Sequence, residues 1–170
     1  MIKQVLTLIA IFIGFAVSAQ VESTAIGLRG GGISGMTIKK IDHDYSGFEI
    51  LLGYQRHGMR LTGLIEKFKP IKTNRIANLY VYSGFGAHAG YVRYDEHKTK
   101  TVDEIPYYSA RKVISPVIGA DLILGIEYHF ESVPFQISLD YKPYLEFFGE
   151  KIFRIDFWDI GFSLKYVLNN

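Results

Sequence analysis

The chain has 170 residues, a formal net charge of +2 and no cysteine; 48% of it is hydrophobic and 15% aromatic. That length bounds it to one domain beyond any leader, the near-neutral balance gives no basis for nucleic-acid binding, and the missing cysteine excludes disulfide staples and thiol chemistry. After the first twenty residues no stretch approaches the ~18 uninterrupted apolar residues of a transmembrane helix, so a chain that crosses a bilayer here must do so as a closed set of strands.

The N-terminus reads as an export signal. Lys3 supplies a positive start, Val5 to Val17 an apolar run broken only by Thr7 and Gly14, and Val17-Ser18-Ala19 the small residues of a cleavage site before Gln20. Residues 1–19 are therefore expected to be removed, leaving 20–170 as a single domain.

From there the chain alternates with a period of two, the signature of strands. Near its start Ile26, Leu28, Met36 and Ile38 share a parity opposite to Arg29, Thr37 and Lys39, with Gly30-Gly31-Gly32 between them. Those glycines predict a turn between strands near 23–30 and 34–41; a split at Gly84-Phe85-Gly86 is the other way to reach an even strand number. Asp42 to Gly47 reads as a turn. Over 47–55, Phe48, Ile50, Leu52 and Tyr54 oppose Glu49, Gly53 and Gln55, with Leu51 an exception. Arg56-His57-Gly58 is a hairpin turn. Over 59–69, Met59, Leu61, Gly63 and Ile65 oppose Arg60, Thr62 and Glu66, with Leu64 an exception. A further strand spans Leu79 to Tyr94, and the charged stretch 95–112 is expected to be a long loop. Ile118, Ala120, Leu122, Leu124, Ile126, Tyr128 and Phe130 then face away from Gly119, Asp121, Ile123, Gly125, Glu127 and His129 in a strand over 114–130. Glu131-Ser132-Val133 is a turn. The strand 134–148 sets Phe135, Ile137, Leu139 and Tyr141 against Gln136, Ser138, Asp140 and Lys142. The last, 155–168, sets Trp158, Ile160, Phe162, Leu164, Tyr166 and Leu168 against Asp159, Gly161, Ser163, Lys165 and Val167.

These segments match the ~9–11 residues of membrane strands better than the ~5–6 of soluble ones. Aromatic residues at their ends, such as Tyr54, Tyr94, Tyr128 and Trp158, suit interfacial girdles. The fold expected is all-β: an antiparallel up-and-down transmembrane β-barrel of eight strands. Its polar face carries Arg29, Lys39, Arg60, Lys142 and Lys165 together with Glu49, Glu66, Asp121, Glu127, Asp140 and Asp159. Charges gathered inside a narrow barrel must pair, and such a network would plug it. A soluble lipocalin-like barrel, apolar inside with a bound apolar ligand, is the inverse assignment of the same two faces.

Several stretches carry a family likeness. They are Ser34-Gly35-Met36-Thr37-Ile38-Lys39, Leu61-Thr62-Gly63-Leu64-Ile65-Glu66, Gly84-Phe85-Gly86-Ala87-His88-Ala89-Gly90, Ile123-Leu124-Gly125-Ile126-Glu127-Tyr128 and Pro134-Phe135-Gln136-Ile137-Ser138-Leu139-Asp140-Tyr141-Lys142-Pro143. In this order the chain resembles the small eight-stranded outer-membrane barrels of the OmpA/OmpX type, and more narrowly the small outer-membrane β-barrel proteins of Bacteroidetes bacteria. The resemblance implies a bacterial outer-membrane location, with outer-membrane lipid and the barrel-assembly machinery as partners. Those barrels usually finish on an aromatic residue, whereas here Val167-Leu168-Asn169-Asn170 follow Tyr166.

No catalytic, cofactor or metal site is expected. Glu127, His129 and Ser132 are close in sequence and could serve a lipid A deacylase-like enzyme, but a serine in a turn lacks the placement that a nucleophile needs. His88 is expected to be a lumen or rim histidine bonded to a charge. Asp42, His43 and Asp44 are three adjacent turn residues, which rarely converge on one ion. Gly30–Gly32 lacks the following Lys-Ser/Thr of a phosphate loop. The expected role is structural or adhesive, with stretch 95–112 meeting any extracellular partner.

Overall fold

The computed structural model describes residues 23–42, 44–55, 58–71, 78–102 and 105–169, with backbone only for 97–110 and 169. The expected signal segment 1–19, His43 and most of the expected turn at 56–58 lie outside these residues. Every regular element among the described residues is a strand: β1 (Ser23–Gly31), β2 (Ser34–Ile41), β3 (Ser46–Gln55), β4 (Gly58–Pro70), β5 (Leu79–Val102), β6 (Ile105–His129), β7 (Phe135–Tyr141), β8 (Tyr144–Phe148), β9 (Phe153–Asp156) and β10 (Ile160–Asn169).

Consecutive strands pair antiparallel from β1 to β7, β7 pairs with β10, and β10 returns to β1. This is an up-and-down ring of eight strands. Closure sets Leu28 beside Leu164 and Gly30 beside Phe162. Because the last strand meets the first, neither is left with a bare row of N–H and C=O groups. The hairpin of β8 and β9 continues β7 and β10 past the ring, with β8 on β6 from Val117 to Asp121.

The expected single strands 134–148 and 155–168 are each broken. Pro143 has no N–H to give, but the gap is bridged: Leu122 N–H donates to the Pro143 carbonyl at 2.9 Å and Lys142 N–H to that of Asp159 at 2.7 Å. The register on β6 is the same on both sides, Leu124 facing Tyr141 and Asp121 facing Tyr144. Opposite it, Tyr144 faces Asp156 whereas Tyr141 faces Ile160. One residue is therefore extra between β9 and β10, and a bulge of this kind reverses which parity faces inward.

The chain turns at Gly30–Gly32, where the Ser34 hydroxyl accepts from Gly31 N–H and donates to the Gly31 carbonyl, both at 3.0 Å. The alternative split at Gly84–Gly86 does not occur; β5 runs straight through. The stretch 95–112 is not a loop either. β5 and β6 stay paired out to Val102 and Ile105, about 30 Å beyond the last pairing with β4 at ~3.3 Å per residue. Thr99 and Thr101 on β5 and tyrosines on both strands favour extended backbone despite the charges. This arm and the β8–β9 hairpin rise at one end. The opposite end holds the start of β1, the ends of β2, β4 and β10, the starts of β3 and β5, and the 130–134 turn. There Asp44 accepts from Ser46 N–H at 3.0 Å and from its hydroxyl at 2.8 Å, with Lys67 at 3.3 Å. The Ser46 hydroxyl, its N–H and Lys67 together hold the Asp44 carboxyl below the usual carboxylate range.

The apolar interior is small. Ile41, Leu64, Phe68, Tyr82 and Ile123 form one buried cluster, and Ile33, Leu51 and Tyr144 another. Most large apolar side chains face outward instead, among them Leu28, Ile38, Phe85, Leu122 and Phe162, each half-exposed or more.

The turn at Gly31 supplies a test. Gly31 has φ +152°, and a Cβ there would sit 2.1 Å from the Ile160 carbonyl oxygen, whereas one on Gly30 meets nothing within 4 Å. Gly31→Ala is expected to cost about 1–3 kcal/mol in urea unfolding followed by circular dichroism. Gly30→Ala should leave the midpoint nearly unchanged.

Candidate functional site: the buried charge network

Alternation sends one side chain in two toward the axis of the ring, and the narrow interior forces those from facing strands together. All eleven charged residues assigned to the polar face are buried there, none more than 5% exposed. They form two groups, one toward each end.

The group nearer the termini centres on Lys39 of β2. Its Nζ lies 2.8 Å from Glu49, 2.9 Å from Glu66 and 3.1 Å from Glu127, on β3, β4 and β6. Lys165 of β10 reaches Glu49 and Glu127, each at 3.3 Å. The Thr37 hydroxyl donates to Glu49. Below, the Lys39 ammonium sits 4.4 Å from the Tyr82 ring centre and 4.9 Å from that of Phe68, and the two rings stack at 5.2 Å. Cation–π attraction thus supplements the carboxylates. Glu66 is the least satisfied member: Oε2 has its ion contact with Lys39, but neither carboxylate oxygen has an aligned hydrogen bond.

The second group centres on Arg29 and Lys142. Arg29 donates to Asp140 at 2.5 Å, to Asp159 at 3.0 Å and to the Ile33 carbonyl at 2.5 Å. Asp159 also accepts Ile33 N–H at 2.9 Å, so the same carboxylate holds the β1–β2 turn and the guanidinium. Lys142 lies 2.8 Å from Asp121 and 3.2 Å from Asp159. Asp121 continues to His88 Nδ1 at 2.7 Å. Arg60 donates to Glu146 and to Gln55, and the Tyr144 hydroxyl lies between two acceptors for its one proton, Gln55 at 2.9 Å and Asp156 at 3.2 Å. The ring of His88 packs against Gly119 and the guanidinium of Arg29 against Gly161; a Cβ at either glycine would stand within 2.4 Å of them.

His88, Glu146, Thr37, Tyr82 and Gln136 are interior residues that the eleven did not include. Glu146 continues the even parity of Asp140 and Lys142 past Pro143, so extending the alternation would have found it. Glu146 brings the buried carboxylates to seven against five lysines and arginines.

Of the enzyme candidates, His129 Nε2 bonds Glu127 at 2.8 Å and its ring lies 4.7 Å from that of Tyr80. Ser132 is in the exposed turn, and no hydrogen bond joins it to His129 among the described residues. Asp44 is engaged with its own turn and Lys67. No group of three or more His, Cys, Asp or Glu among the described residues is placed to share a metal ion. What the interior ion pairs do is neutralise buried charge and tether strands to one another.

Comparison with protein-family models, with curated proteins and with solved structures gave no match in any of the three.

Removing one partner of a buried network leaves uncompensated charge. Lys39→Met should lower unfolding stability by about 3–5 kcal/mol in urea titration, and adding Glu127→Gln should recover part of that loss. Lys67→Met, which removes an exposed partner, should leave the midpoint in place.

Proposed function

We propose that this chain is a β-barrel embedded in the bacterial outer membrane, plugged by its own charges, and that its role is structural or adhesive. One observation carries this reading: the sides are inverted relative to a water-soluble protein. The outward face presents a continuous apolar surface while lysines, arginines and carboxylates fill the interior. Soluble monomers rarely expose a contiguous apolar patch beyond a few hundred Å².

The dimensions fit as well. On β6 the outward residues are apolar from Ile114 through Pro116, Ile118, Ala120, Leu122 and Leu124 to Ile126. At ~3.3 Å per residue these span about 40 Å of strand, or about 30 Å along the normal for strands tilted by ~40°. The apolar band of such barrels is ~25 Å tall. Tyr128 and Phe130 follow at the terminal end. There the described 130–134 turn is short, whereas the β5–β6 arm and the β8–β9 hairpin lie at the other end. This asymmetry matches periplasmic turns and extracellular projections. The arm is then the surface available to an extracellular partner, and lipid is the solvent of the outer face.

The inverse assignment, a lipocalin-like cup, needs the apolar face inside; Leu122, Leu139, Phe162 and Leu164 on the outside count against it. A lipid-modifying enzyme built on Glu127, His129 and Ser132 would need the serine beside the histidine, and it is not engaged there.

Membrane fractions run on a denaturing gel with and without boiling test this reading. The expected result is a fast-migrating band in the outer-membrane fraction that shifts on boiling. A soluble periplasmic chain with no shift would sink it.

A further inference from the structure

At the end of the ring that carries the termini, the outward rows of side chains finish differently on its two sides. On β6, β7 and β10 they finish in aromatic rings, Tyr128, Phe135 and Tyr166. On β2 and β4 they finish in cations. Lys40 follows Ile38 at a two-residue step, and Lys67 and Lys69 follow Ile65 in the same way. Among the described strand residues, no carboxylate faces outward at this end of the ring.

The register gathers these lysines on one surface. Phe48, Ile65 and Phe85 form a row across β3, β4 and β5, and Lys40 is the β2 partner of Phe48. The next row toward the termini is Ser46, Lys67 and Ser83, with Lys69 one step further along β4. The three apolar members of the first row are about half-exposed. Two carboxylates stand near, Asp42 and Asp44, both exposed and both in the β2–β3 connection beyond the strand ends. Asp44 reaches Lys67 at 3.3 Å, but each side chain is 65% exposed, and such a pair contributes little in water. The lysines themselves lie on the strands, directly below the apolar rows.

We infer that the β2–β4 face seats an anionic phospholipid, its phosphate against Lys40, Lys67 and Lys69 and its acyl chains along Phe48, Ile65 and Phe85. This rests on the membrane reading above. A phosphodiester offers acceptors alone, and the three ammonium groups and the Ser83 hydroxyl offer donors. The lysine methylenes run along apolar surface while their heads stay at the level of the phosphates. A zwitterionic lipid brings an ammonium of its own, which the lysines repel, so the face discriminates by net charge. Three lysines against two carboxylates leave one net positive charge, worth about fivefold at an anionic surface.

The chain has a single tryptophan, Trp158, so a fluorophore is readily moved. The test uses the full chain carrying Trp158→Phe, reconstituted into phosphatidylcholine vesicles. Phe85→Trp then reports lipid on this face, and Phe162→Trp reports lipid on the β10 face. Phosphatidylglycerol and phosphatidylcholine with brominated acyl chains are compared as quenchers at each position. At residue 85 phosphatidylglycerol is expected to be preferred about fivefold, and at residue 162 the two lipids should quench alike. Lys67→Gln combined with Lys69→Gln should bring residue 85 to equal quenching. High salt with the lysines in place should reduce the preference too, a readout that needs no lysine variant. The same ratio at both positions, or a preference at 85 that neither salt nor lysine removal changes, overturns the inference. Equal quenching by both lipids at 85 does so while leaving the membrane reading standing, whereas no quenching by either lipid at either position sinks both.

Discussion

Pairing of β1 with β10 is the constraint on which the rest of the structure depends. It turns a sheet with two bare edges into a ring, and it makes one face of every strand an interior. Once the ring is closed, a residue's position in a two-residue period decides whether it meets its neighbours or the surroundings. Lys39 can touch carboxylates from β3, β4 and β6 only because the sheet curves back on itself. The ion pairs are thus a consequence of closure, and they reinforce it: Arg29 on β1 binds Asp140 on β7 across the seam that β10 fills.

Such an interior is a choice with consequences. Buried ion pairs often contribute less than apolar packing of the same volume, because desolvation offsets attraction. What they supply is register. A one-residue slip of β2 would carry Lys39 to the outer face, leaving Glu66 without its cation and Glu49 and Glu127 with Lys165 alone. The apolar clusters are too few to fix the strands alone, and Leu51 and Leu64 are the places where apolar side chains do penetrate. Charge inside and apolar residues outside are the two observations that support the proposed function together.

Much of this was legible in the sequence because period two is local. The alternation of β10, from Trp158 to Leu168, can be read without knowing any neighbour. The turn at Gly30–Gly32 could be read from three glycines and an even strand number. Leu51 and Leu64 looked like exceptions to a polar face, yet they are interior residues packed against Ile33 and Tyr82; parity placed them correctly, and only their chemistry was unexpected. His88, among small residues on β5, was read as a lumen or rim histidine bonded to a charge, and it is buried with Asp121 as that partner. The bulge between β9 and β10 could not be seen at all. It reverses parity, so Arg154 and Asp156 lean inward together with Asp159 and Gly161 although their numbers differ by an odd step. The arm of β5 and β6 was missed because charge marks loops by correlation, whereas strand pairing between two chains of similar length is set by backbone hydrogen bonds.

The absence of cysteine makes the central claim directly measurable. Single cysteines placed in turn from Ile160 to Tyr166 on β10 can each carry a nitroxide in protein reconstituted into lipid vesicles. Collisions with oxygen, which partitions into lipid, and with a water-soluble nickel chelate report the surroundings of each site. The account predicts a period of two: high oxygen contact and low chelate contact at 160, 162, 164 and 166, and little contact with either at 161, 163 and 165. Chelate contact along the whole apolar face, or no alternation, would contradict it.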